Sequence, residues 1–101
     1  MPYLIYAIDK ENVDSLREKL RSAHRAHLES VGSRLLASGA LLSDDGSEII
    51  GGISLLDTNN REDAEKFAKE DPYSQENIRK NVHIIRWRRR WLDGKFLGDI
   101  S

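Results

Sequence analysis

Residues 34–56 read Arg34-Leu35-Leu36-Ala37-Ser38-Gly39-Ala40-Leu41-Leu42-Ser43-Asp44-Asp45-Gly46-Ser47-Glu48-Ile49-Ile50-Gly51-Gly52-Ile53-Ser54-Leu55-Leu56. Two apolar runs, 34–42 and 48–56, flank five small or acidic residues. Short apolar runs bounded by turn-forming residues are strand candidates. Between them, Gly46 can take positive φ, so residues 43–47 are a hairpin connection. Gly51-Gly52 inside the second run predicts a bulge, or a close approach by another backbone or a ligand.

On the N-terminal side of this hairpin, Val13, Leu16, Leu20, Ala23, His27 and Val31 recur at steps of three and four. That spacing is the apolar stripe of a helix. Asn12 or Asp14 is expected to cap it and Gly32 to end it. Before it, residues 3–8 form a short aromatic and aliphatic run, a buried strand. On the C-terminal side, Asn59 and Asn60 with Glu62 and Asp63 signal a second helix, burying Ala64, Phe67 and Ala68. Asp71-Pro72 must stop it, because a residue before proline is pushed out of the α region. A short turn or helix follows, and residues 82–87 read as the last strand. The order is strand, helix, strand, strand, helix, strand. It predicts a ferredoxin-like α+β sandwich: a four-stranded, mainly antiparallel sheet with both helices on one face.

The chain has 101 residues, enough for one compact domain, and 33% of them are charged. A core of that size is modest, and pairing with a second subunit would extend it. The absence of cysteine excludes disulfides, thiolate nucleophiles and Cys-based metal sites. No apolar run approaches the roughly 20 residues that span a bilayer. The first residues lack the basic start and cleavage site of a signal peptide, so a cytoplasmic protein is expected.

Arg21-x-x-His24-x-x-His27-Leu28 is the first chemical candidate. His24 falls on the margin of the apolar stripe, where one ring nitrogen can face the core and the other a cleft. Its ordinary pKa of about 6.5 suits acid–base work near neutrality; the bland alternative is a boundary histidine with its polar atoms satisfied. His27, centred on the stripe, reads as a packing residue of the core or of a subunit interface. Helical His pairs that hold zinc usually sit at i, i+4 rather than i, i+3, so no metal is expected. Asp71-Pro72-Tyr73 is the second candidate. An Asp followed by Pro is a common helix start. The same Asp, fixed at a helix junction, could accept a hydrogen bond from a histidine N–H and raise that histidine's pKa. Spacing alone does not say that His24 and Asp71 meet.

Taken together, 21–28, Leu35-Leu36-Ala37-Ser38-Gly39-Ala40-Leu41-Leu42 with Asp45-Gly46, Asp71-Pro72-Tyr73, and Val82 with Arg86-Trp87 resemble the YciI-like (YCII-related) family. The likeness runs from about residue 3 to 87. It implies a ferredoxin-like fold of the dimeric α/β-barrel superfamily, paired as homodimers. It also implies a His–Asp dyad in a pocket, proposed as catalytic, which maps onto His24 and Asp71. His27 stands where the family often has an aromatic residue, which agrees with packing. Some similar domains are linked to the breakdown of substituted aromatic compounds, including dehydrochlorination.

Residues 79–95 carry a net charge of +6, so the rest of the chain carries −7. Trp87 and Trp91 frame Arg88-Arg89-Arg90, a pattern that can bind phosphates and stack on bases. Yet the central strand candidate 48–56 has no aromatic residue, unlike an RNA-binding version of this fold. The acidic remainder offers the cluster a partner of its own. The reading is therefore a domain over 1–88 and a basic, aromatic tail over 89–101. The tail is expected to dock on its own or a partner subunit through Trp91, Phe96 and Leu97, and not on nucleic acid.

The functional expectation is a dimeric enzyme acting on a small organic, possibly aromatic, molecule by proton transfer, elimination or isomerisation. His24 and Asp71 are its expected catalytic pair. Arg21 is expected to bind an anionic group, with Ser43 and Tyr73 lining the pocket. Such chemistry requires no cofactor. The alternative is a non-catalytic ligand-binding or regulatory module of the same fold, since fold alone does not fix function.

Overall fold

The computed structural model describes residues 1–98. Its strands are β1 (Tyr3–Asp9), β2 (Leu35–Leu42), β3 (Ile49–Leu56) and β4 (Arg79–Arg86). The helices are α1 (Asp14–Val31), α2 (Arg61–Glu70) and the single turn α3 (Pro72–Gln75). The four strands pair antiparallel in the order β2-β3-β1-β4. The expected ferredoxin-like α+β arrangement is thus present, with β1 at the centre of the sheet.

Strand alternation decides which side chains face the helices. Tyr3, Ile5, Ala7 and Asp9 of β1 are buried, and the residues between them are half-buried. Tyr3, Ile5, Leu56, Ala64 and Phe67 form the core cluster, flanked by Leu28, Val31, Leu35, Ala68 and Ile84. The other face of the sheet presents Leu4, Tyr6, Ile8, Ile53 and Ile85, the last 56% exposed. No helix among the described residues is long and apolar enough to cross a membrane.

Several local details depart from the expected boundaries. Neither Asn12 nor Asp14 caps α1: Val13 occupies the N-cap without a side-chain bond, and Asn12 takes a left-handed turn conformation at φ 61°. Asp14 instead lies in the first turn, where a carboxylate favours the positive end of the helix dipole. At α2, Asn60 is the N-cap but makes no side-chain cap. Thr58 takes over, accepting from the Asn60 N–H at 3.1 Å and donating to Asp63 at 2.6 Å. The last strand starts at Arg79, three residues before the apolar run that announced it, because its polar beginning still pairs with Ile8 and Asp9 of β1.

The two glycines of β3 have separate causes. A Cβ on Gly51 would lie 2.0 Å from the Ala7 carbonyl oxygen, so that position admits no side chain. A Cβ on Gly52 would meet the Arg79 guanidinium at 3.2 Å. Beyond β4, the chain forms a small hairpin of Trp91–Leu92 (β5) and Lys95–Phe96 (β6). Its rings pack on each other, with Trp91 and Phe96 centroids 5.2 Å apart, yet both stay largely exposed.

Gly51→Ala is expected to destabilise the protein by about 3 kcal/mol or more, because backbone on the central strand must move to admit the methyl group. Gly39→Ala, with nothing within 4 Å of the new Cβ, should stay within about 0.5 kcal/mol of the parent. Urea unfolding of the two variants measures the contrast.

Candidate active site

Four side chains converge where the ends of β1 and β4 meet the junction of α2 and α3. Asp9, the last inward position of β1, has a side chain only 2% exposed. One oxygen accepts from Arg17 Nε at 2.7 Å and the other from an Arg79 terminal nitrogen at 2.8 Å. Arg79 reaches on to Asp71 Oδ2 at 3.3 Å. A buried carboxylate is tolerated only when it is paired and hydrogen-bonded, and Asp9 meets both conditions. Gly52 leaves the space that the Arg79 guanidinium occupies between the two carboxylates.

Asp71 sits in extended backbone, φ −61° and ψ 123°, between α2 and α3. The N-cap reading is correct, since Oδ1 accepts from the Tyr73 N–H at 2.9 Å. The same carboxylate also faces His24, whose Nε2 lies 3.7 Å from Oδ2. That separation suits an ion pair but exceeds a hydrogen bond, so the anticipated His–Asp hydrogen bond is not made. Tyr73, 3% exposed, lies flat on His24, with ring centroids 4.1 Å apart and planes 11° apart. Arg17 and Arg79 approach the Tyr73 ring at 4.5 and 5.2 Å.

The anticipated rise in the His24 pKa is corrected as well. Burial comes first, disfavouring the imidazolium and lowering the pKa from 6.5; Asp71 opposes this, while Arg79, Arg17 and His27 add to it. Two guanidiniums beside one partly shared carboxylate leave too little negative charge to offset desolvation. His24 is therefore neutral at pH 7. Burial also holds the Tyr73 hydroxyl above its ordinary 10.0, so it too is uncharged.

These groups border a cavity of about 290 Å³ between the helices and the sheet. His24, Asp71, Tyr73, Arg17, Arg21 and Arg79 line its polar side, opposite apolar wall residues such as Ile5, Phe67 and Val82. The volume is near the lower end of the roughly 300–1,000 Å³ usual for small-ligand pockets. Arg21 lines it with a largely exposed side chain whose ionic partner, Glu18, is 3.6 Å away in the preceding turn. Arg25 adds a further cation to the lining.

Ser43 is placed differently from the other sequence-selected residues. It is outside the cavity lining, and its hydroxyl is engaged within the β2–β3 turn. There it donates to Asp45 at 2.9 Å and accepts from the Glu48 N–H at 3.0 Å. Asp45 is a turn organiser, and hydrogen bonds led by the Ser47 N–H hold its carboxyl below the ordinary 3.8. His27 packs as read: its Nε2–H donates to the Phe67 carbonyl at 2.9 Å, and its ring lies on the Phe67 ring. That carbonyl is in the last turn of α2, where intrahelical donors run out. Asp9, Arg17 and Arg79 were not singled out from the sequence. The available signal was Asp9 itself, an acid at the next inward step after Tyr3, Ile5 and Ala7.

A family model described as the YCII-related domain matches residues 1–88. The chain belongs to the YCII-related family. Among curated proteins, none matches it in sequence. Among solved structures it is similar to 5-chloro-2-hydroxyhydroquinone dehydrochlorinase (TftG) from Burkholderia phenoliruptrix AC1100, in complex with 2,5-dihydroxybenzoquinone. That likeness has a TM-score of 0.79 at 22% identity, covering 88% of this chain and 95% of TftG. The protein Atu4242 from Agrobacterium tumefaciens is more distant, with a TM-score of 0.50 at 13% identity over 92% of this chain and 98% of Atu4242. At these identities the likenesses establish the fold alone.

Replacing Asp9 by Ala would leave Arg17 and Arg79 facing each other without their shared anion. The expected cost is about 3–5 kcal/mol of unfolding free energy. Chemical denaturation, with Arg61→Ala as an exposed ion-pair control changing stability by about 0.5 kcal/mol or less, measures it.

Proposed function

We propose that this YCII-related protein is an acid–base enzyme for a small anionic or readily ionised ring compound, with His24 as the proton acceptor. The observation that carries the reading is a half-buried imidazole at the wall of a cavity otherwise rich in arginine, where burial lowers its pKa. A general base must be unprotonated at working pH and must hold a proton transiently. Desolvation and the arginines supply the first condition. Asp71 at 3.7 Å and the stacked Tyr73 ring favour the imidazolium once it forms.

The arginines have a second role. Removal of a proton from a ring O–H or C–H places an electron pair on the substrate, as phenolate or enolate. Arg21, whose only ion pair among the described residues is with Glu18, can meet that charge directly, and Arg17 and Arg79 lend their field. The pair then either returns to a different ring position with a proton, an isomerisation, or expels an anion such as halide, an elimination of HX. In the second case His24 passes its proton to solvent and is regenerated. The dehydrochlorinase name and the bound dihydroxybenzoquinone of TftG support ring compounds of this type as the first substrates to assay.

The reading includes a homodimer paired through the helix-free face of the sheet. Exposed Ile85 beside Leu4, Tyr6 and Ile53 offers the apolar surface for it. Ile85→Asp is expected to yield monomer by light scattering; an unchanged dimer would remove that surface from the assembly.

A panel of hydroxylated and chlorinated hydroquinones, assayed for chloride release and for shifts of the ring absorbance, tests the activity. His24→Gln should lower kcat/KM by about 10²–10⁴-fold with an unchanged melting transition; full turnover in that variant would overturn the assignment. The parent's activity should fall on the acid side with an apparent pKa below 6.5. Asp71→Asn removes the one neighbouring charge that raises the His24 pKa, so that limb should move to still lower pH as kcat drops. Asn is chosen because its side-chain oxygen can still cap Tyr73.

A further inference from the structure

The β5–β6 hairpin lies outside the matched family region and takes no part in the site. Its three large apolar side chains, Trp91, Leu92 and Phe96, are 63%, 42% and 54% exposed. A two-stranded ribbon is marginally stable alone in water, and a ladder of only two residue pairs is the extreme case. Around these side chains stand Arg88 and Lys95, exposed cations with no ion pair among the described residues. The chain leaves β4 at Arg86, which pairs with Tyr3, and the Trp87 N–H bonds the Pro2 carbonyl. The hairpin therefore starts at the end of the sheet away from Asp9 and Arg79, about 23 Å along the strand at ~3.3 Å per residue.

The opposite end carries the complementary charge. Just outside the cavity, a groove of about 330 Å³ is lined by Asp14, Glu18 and Glu48 together with Ile49 and the shared Arg17, Arg21 and Tyr73. Asp14, Glu18, Glu48 and Ile49 are exposed there. The basic hairpin and the acidic rim thus sit at opposite ends of one subunit. A two-fold axis can satisfy both at once, each hairpin meeting the other copy's rim in a closed pair.

We infer that the hairpin is a docking arm for a second copy of this chain. Trp91 and Phe96 cover apolar surface beside the partner's Ile49, and Arg88 and Lys95 face its Glu18 and Glu48. The occupant follows from charge: the arm, residues 87–97, carries a net +3, and the rest of the chain carries −4. Docked there, the arm borders the entrance to the partner's cavity and narrows what can enter it. The inference stands apart from the sheet-face pairing, because it concerns a different surface.

The test uses the full chain carrying Trp87→Phe, so that Trp91 is the sole tryptophan. Its emission should shift to the blue as protein concentration rises, and salt should oppose the shift. Two charge-reversed chains are then made, Arg88→Glu/Lys95→Glu and Glu18→Lys/Glu48→Lys. Alone, each should self-associate roughly tenfold more weakly by sedimentation equilibrium, since every arm–rim contact becomes repulsive. Mixed one to one, they should pair preferentially with each other, because both arm–rim contacts in the mixed pair are again attractive. Trp91 emission that never changes with concentration, or no preference on mixing, would overturn docking. So would a blue shift that appears only when single-stranded DNA is added at low salt. A dimer that persists with Trp91 in water refutes the arm and leaves the sheet-face pairing standing.

Discussion

Arg79 holds the site together by being shared. One guanidinium, 8% exposed, bridges Asp9 at the end of the central strand and Asp71 at the junction of two helices. Asp9 also pairs with Arg17, but Arg79 is what ties it to Asp71, and the burial of that guanidinium depends on both carboxylates. The clamp fixes the distance between sheet and helical layer where the cavity opens. Gly52 belongs to the same arrangement: β3 passes beneath the guanidinium without a side chain, and the arginine fills the gap.

The clamp also sets the character of the histidine. An isolated His–Asp pair with good geometry would make the imidazole more basic. Here the carboxylate is divided among Arg79, the Tyr73 N–H and His24, and the last contact is the longest of the three. Burial then prevails, and the ring stays neutral. The difference is one of role. A strongly paired imidazolium would be an acid or an anion anchor, whereas a neutral ring among arginines can accept a proton from a substrate held by those same arginines.

The fold was legible because its signals are local. The apolar run of residues 3–8, the three-and-four spacing of α1, the turn at Gly46 and the break at Pro72 each act within a few residues, and they agree with one another. Strand starts were less legible, since Arg79, Lys80 and Asn81 pair through backbone atoms that side-chain hydropathy does not report. His24, Asp71, Tyr73 and Arg21 were nominated and do border one cavity. Ser43 was expected to line the pocket, but its hydroxyl is engaged in closing the β2–β3 turn. Arg79 was hidden by its neighbours in the chain. Counted with the basic stretch that follows, it looked like part of a surface patch, and only the antiparallel pairing of β4 with β1 turns it inward. The sign of the His24 shift is set first by burial, with Arg79 adding to it, and spacing reports neither.

Because Asp9 and Arg79 stand 70 residues apart, the clamp is also a statement about order of events. Contacts of long sequence separation form only after the intervening chain has been gathered in, and they slow folding accordingly. A partly assembled molecule containing β1 through α2 would hold Asp9 against Arg17 alone, with no cation linking β1 to Asp71. The cavity thus gains its charge pattern when the last strand of the sheet zips onto the first. Ligand affinity in this protein should therefore report completion of the native sheet, with no half-folded species able to bind.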